Sequence, residues 1–75
     1  MIGFRPNDVV RVKSVLTVDL WPGNRGGFPS VGDICTVIDR DGAKLVIEKF
    51  HQDGSSQWTA SIDASGLELI KAHQP

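Results

Sequence analysis

The chain contains no tyrosine, a single cysteine and no excess charge of either sign, and each shortage removes a class of protein. Cys35 has no second cysteine to pair with, so the internal disulfide that staples many small secreted domains cannot form, which fits a reducing compartment. Eight Lys and Arg stand against nine Asp and Glu, a net charge of −1 with a pI near 6.0. That balance lacks the cation density whose counterion release drives general coating of nucleic acid. No apolar run is longer than Leu45-Val46-Ile47, far short of the roughly 20 residues needed to span a bilayer core. Met1-Ile2-Gly3-Phe4 runs straight into Arg5-Pro6-Asn7-Asp8, where a secretory signal needs a continuous apolar core, so the expected location is cytoplasmic and no membrane partner is expected. With 75 residues, 40% of them hydrophobic and 23% charged, one folded domain over 1–75 is expected, its last four residues (72–75) a loose tail.

What is present reads as β-structure. Gly, Pro, Asn and Asp cluster at intervals, and β-branched or aromatic residues fill the spaces between them. A first strand is predicted over 9–18, where Val10 and Val12 alternate with Arg11 and Lys13, two valines inward and two cations outward. Residues 17–33 carry Trp21-Pro22-Gly23-Asn24-Arg25-Gly26-Gly27-Phe28-Pro29, whose glycines and prolines forbid a regular ladder, and are predicted to form one long loop. A second strand over 34–39 leads into Asp41-Gly42, the signature of a tight type I′ hairpin, and a third covers 44–50. Its triplet Leu45-Val46-Ile47 cannot all face one side, so either both faces are covered or a bulge shifts the register. His51-Gln52-Asp53-Gly54-Ser55 signals a second hairpin, followed by a strand over 56–62 with Trp58, Ala60 and Ile62 on one face. A single helical turn over 63–66 and a last strand over 67–71 complete an all-β, five-stranded, strongly bent barrel. Its interior is expected to hold Val10, Val12, Val37, Trp58 and Leu69.

From Asp8 to Ile70 the chain resembles small bacterial and plastid SH3-like barrel proteins, among them KOW-type modules, the small SH3-like protein of photosystem I and the variable chain of ferredoxin-thioredoxin reductase. The similarity rests on Asn7-Asp8-Val9-Val10-Arg11-Val12, on Val31-Gly32-Asp33-Ile34-Cys35-Thr36-Val37-Ile38, and on Trp58 followed by Leu67-Glu68-Leu69. These positions mark strand starts and core sites, so the resemblance implies a fold and little about activity. Two residues depart from it: Asn7 and Cys35 stand where the pattern has glycine, and only Asn readily accepts a positive φ. The absent tyrosines exclude a polyproline-binding SH3 module of eukaryotic type.

Catalytic chemistry is thin. Cys35, His51 and His73 lack the paired spacing of zinc ligands, Asp39, Asp41 and Asp53 sit at turns where Asp binds backbone amides, and Gly23-Asn24-Arg25-Gly26-Gly27 lacks the Gly-Lys-Ser/Thr of a phosphate loop. No metal, cofactor or enzymatic activity is therefore expected. Gln57 in Ser56-Gln57-Trp58-Thr59 is the one point of likeness to type II dihydrofolate reductases, which are SH3-like barrels of similar length, and the tyrosine of their segment is missing. The concentrated signal is Trp21, Arg25 and Phe28 in one long loop, since aromatic and Arg side chains dominate interface hot spots. Together with Arg11 and Lys13 they are the expected partner-binding residues of a small binding or accessory module that contacts a protein or a second copy of itself. The alternative is a KOW-like nucleic-acid module, with Arg5, Arg11, Lys13, Arg25 and Trp21 as a basic-aromatic face. Composition leaves open whether Trp21 and Phe28 plug one end of the barrel or stand out from it.

Overall fold

The computed structural model describes residues 4–21 and 27–72. They form β1 (Val9–Val12), β2 (Asp19–Leu20), β3 (Ile34–Asp41), β4 (Lys44–Phe50), β5 (Ser56–Asp63), a 3₁₀ turn (Ala64–Gly66) and β6 (Leu67–Lys71). The strands lie in one antiparallel sheet in the order β2-β5-β4-β3-β1-β6. The fold is all-β as expected, with six strands instead of five. The extra one arises inside the expected loop, where Asp19 and Leu20 pair with Ser61 and Ala60. Glycine and proline begin only at Pro22, so nothing in 17–21 resists a ladder. The first strand, conversely, stops at Val12 and does not reach residue 18. The Lys13 and Ser14 amides leave the ladder and both donate to the Gly66 carbonyl, at 2.7 and 3.4 Å.

The buried side chains of the core gather on one face of the sheet. Val10, Val12, Cys35, Val37, Leu45, Ile47, Trp58, Ala60, Ile62 and Leu67 form that inner face, with Phe4, Val15 and Val18 packed against it. Leu69 does not join them: it is 37% exposed, and Leu67 holds the inner position on β6. β6 is the outermost strand, and its pairing with β1 shifts register between Val9 and Val10, so the second half of the strand has a neighbour on one side only and lies past that irregularity.

Both devices considered for the apolar triplet are used. Leu45 and Ile47 point inward, whereas Val46 is buried on the opposite face beside its partner Ser61. Across the sheet, β3 bulges at Ile38, so that Val37 faces Ile47 and Asp39 faces Val46. The β3–β4 hairpin closes through Gly42-Ala43 between the paired Asp41 and Lys44. Among non-glycine residues described, only Asn7 has positive φ, so Gly42 at +62° is alone in the turn in that region. That is the type II′ pattern and not the expected type I′, which needs positive φ at both central residues. Asn7, at φ 75°, takes the backbone conformation that glycine would, and its amide donates to the Val37 carbonyl at 2.6 Å. Cys35 lies within β3, and the bulge of that strand falls three residues later. Among the described residues no helix is long and apolar enough to cross a membrane.

Candidate functional site

The 17–33 segment is anchored where it leaves and where it rejoins the sheet. The Trp21 amide continues the β2–β5 pairing by donating to the Thr59 carbonyl at 3.0 Å. Its indole Nε1 donates to Ser61 Oγ at 2.8 Å, which lays the ring on the outer face of β5 while leaving 43% of the residue exposed. At the other end Pro29 is fully buried, and its neighbour Phe28 is 52% exposed. The Ser30 amide donates to Asp33 Oδ2 at 2.9 Å, the Asp33 amide returns to the Ser30 carbonyl at 3.0 Å, and the Gly32 amide donates to the Val12 carbonyl at 2.8 Å. The segment is therefore pinned, and its two aromatics are presented outward. Phe4, Val15 and Val18 pack against the core, the role that Trp21 and Phe28 were alternatively expected to fill.

Asp33 also accepts from Lys49 Nζ at 3.0 Å through Oδ1, which joins the loop's end to the end of β4. Gly27 lies beside the Gln57 side chain: a methyl group on it would meet Nε2 at 3.8 Å. These ties bring Val31 and Phe50, both exposed, to the same end of the sheet as Phe28. Sequence reasoning missed this pair. Phe50 read as a strand end and Val31 as part of the long loop, and the Asp33–Lys49 contact joins the residues that neighbour them in sequence.

The basic residues fall elsewhere. Arg11 projects from β1 and its Nη1 donates to Glu68 Oε1 of β6 at 2.7 Å, with both side chains about half exposed. Lys13, just beyond β1, is exposed. Sheet order sets β5, β4 and β3 between β2 and β1, so three strands separate Arg11 from Trp21. Arg25, the Gly23 to Gly26 stretch and His73 lie outside the described residues.

Among the described residues the titratable groups show no reactive arrangement. Burial pushes the Cys35 thiol up to about 12, the Asp33 carboxylate adds to the rise and Lys49 opposes it, so the thiolate needed of a nucleophile does not form near neutral pH. Asp53 Oδ1 accepts from the Ser55 hydroxyl at 2.6 Å and from its amide at 2.9 Å, and these bonds hold its carboxyl below the ordinary range. Asp39 accepts from the Arg40 amide at 2.8 Å. Asp53 thus serves its turn as its position in the sequence suggested, whereas Asp39 lies within β3 beside the bulge and not at the expected hairpin turn. Among the described residues no three His, Cys, Asp or Glu side chains gather as metal ligands would. No protein-family model, no curated protein and no solved structure matches the chain.

Proposed function

We propose that the chain is a non-catalytic binding module of the SH3-like barrel type, and that the 17–33 loop takes a protein partner. The observation that carries this reading is the pairing of exposure with anchorage. Trp21 and Phe28 stand half out of the surface, while Pro29, Asp33 and the Ser61 hydroxyl hold the backbone and ring on which they depend. An aromatic held in place before binding loses little entropy on docking, which is what makes such residues hot spots. Val31 and Phe50 are further exposed apolar side chains at that end of the sheet. The nucleic-acid reading has less behind it. Net charge is −1, Arg11 is engaged by Glu68, and in the order of the sheet three strands lie between Arg11 and the strand that leads into Trp21.

The test is affinity capture from a lysate of the encoding organism, with the wild-type chain and a Trp21→Ala/Phe28→Ala variant as baits. The wild type is expected to retain a protein that the variant, still folded by its amide spectrum, releases. Equal retention by both would overturn the assignment of the loop, and capture of RNA that weakens steeply with salt would replace the reading altogether.

A further inference from the structure

The chain holds two Asp-Gly steps, Asp41-Gly42 and Asp53-Gly54, and the fold treats them differently. Such a step is where a main chain most readily closes on its own side chain, because glycine leaves the attacking amide nitrogen unshielded. Both steps are exposed, and nothing stands within 4 Å of where a Cβ would sit on either glycine, so access does not separate them. Hydrogen bonding does. Asp53 Oδ1 is held by the hydroxyl and the amide of Ser55, and the Gly54 amide donates to the His51 carbonyl at 3.0 Å. Asp41 ends β3, where its place in the sequence suggested the same service to a backbone amide. Among the described residues no hydrogen bond reaches its carboxylate, and the Gly42 amide donates to no acceptor. Lys44 attracts that carboxylate through space, but its Nζ is bonded to Asp19 and to the Thr17 carbonyl.

We propose that Asp41-Gly42 is a site of isoaspartate formation in the folded chain, and that Asp53-Gly54 is protected from it. The Gly42 nitrogen attacks Asp41 Cγ and gives up its proton as the C–N bond forms, while a carboxyl oxygen leaves as water. Water then opens the five-membered ring at the main-chain carbonyl: Gly42 stays bonded to Cγ, and the former main-chain carbonyl of Asp41 becomes a free carboxylate. Water is the only reactant the sequence of steps takes up. At Asp53 the same closure must first free a nitrogen and a carboxylate oxygen from three hydrogen bonds. The Ser55 bonds also favour the ionised carboxyl, whose oxygen leaves poorly. Asp41 and Lys44, by contrast, form the last pair of the β3–β4 hairpin, the pair that frays most easily to let the ring close. The product carries an extra main-chain methylene at that pair and makes the hairpin tip a substrate of the class taken by enzymes that methylate isoaspartyl carboxylates. This inference rests on the β3–β4 hairpin and not on the loop reading.

Ageing the purified chain near neutral pH and digesting it with a lysine-specific protease tests it. Cuts at Lys13, Lys44, Lys49 and Lys71 put Asp41 in peptide 14–44 and Asp53 in peptide 50–71. Isoaspartate in each is counted by enzymatic transfer of a labelled methyl group from S-adenosylmethionine, and fragment ions of the methylated peptide locate the residue. Peptide 14–44 is expected to accumulate it at least about tenfold faster than 50–71, since each hydrogen bond to be broken slows closure by up to about that factor. In urea strong enough to unfold the chain the two rates are expected to converge, because the bonds at Asp53 are gone. Asp41→Glu, which would have to close a six-membered ring, is expected to silence peptide 14–44; the position is exposed, and an unchanged thermal midpoint confirms that the variant folds. A folded chain that forms no isoaspartate at residue 41, or forms it equally in both peptides, overturns the proposal. So does a difference that persists in urea, which would assign it to neighbouring sequence and not to the fold, or label in 14–44 that survives Asp41→Glu.

Discussion

Among the described glycines Gly66 has the least room for a side chain, and replacing it with alanine opposes two effects whose sizes can be compared. Gly66 is buried at the end of the 3₁₀ turn, its carbonyl accepting from both Lys13 and Ser14. Its φ lies outside the positive region, so alanine can adopt the backbone, and loss of freedom in the unfolded chain favours the substitution by about 0.4–1 kcal/mol. Against this, a Cβ there would stand 2.9 Å from Ile62 Cδ1, 3.2 Å from Ile62 Cγ1 and 3.1 Å from the Ser14 carbonyl oxygen. The Ile62 methyl can swing away, but the carbonyl belongs to backbone that the Lys13 and Ser14 bonds hold against this turn. Overpacking of this kind costs about 1–3 kcal/mol. The sum is a net destabilisation of about 1.5 kcal/mol, and the thermal midpoint should fall by about 6–12 °C for a domain of this size. Thermal and urea unfolding followed by circular dichroism measure it. Ile62→Val removes the Cδ1 atom and should relieve part of the clash, so the double variant should be less destabilised than the sum of the singles by about 0.5–1 kcal/mol. A Gly66→Ala chain as stable as wild type, or a cycle that is strictly additive, would refute the argument that this contact is tight.

Two further outcomes are expected. The thiol of Cys35 is raised from 9.0 to about 12 in the folded chain, so the unfolded chain gives up that proton first; stability should hold below pH 9 and fall between 9 and 12. The slope of that fall is at most about 1.4 kcal/mol per pH unit, and Cys35→Ala should remove this share of it in urea titrations at stepped pH. Trp21→Phe should leave emission from Trp58 alone, which is fully buried, so the spectrum should shift to the blue and resist quenching by acrylamide. A residual quenchable component would place Trp58 at the surface.

The inner face was readable because alternation settles it wherever neighbours exist on both sides: Val10, Val12, Val37 and Trp58 all point inward as their spacing implied. Leu67 and Leu69 share one parity, and no pattern within the strand distinguishes them. Which of the two is roofed depends on β6 being the last strand and on a register shift in β1. The same holds for β2, a two-residue strand that exists only because β5 offers an edge to it. At the candidate site, composition singled out Trp21 and Phe28, but their exposure follows from contacts distant in sequence, such as Ser61 beneath the indole and the burial of Pro29. The end of the loop is tied to the end of β4 only through Asp33 and Lys49, sixteen residues apart. Local spacing carries no information of that kind.

The register that sets Val9 opposite Lys71 has an architectural consequence. Cross-strand neighbours stand about 5 Å apart, so the start of the first strand and the end of the last lie side by side. A unit built this way can be spliced into a surface loop of a larger polypeptide, or threaded several times along one, without prising the host open. The aromatic loop would then hang from a tether whose two strings are held side by side.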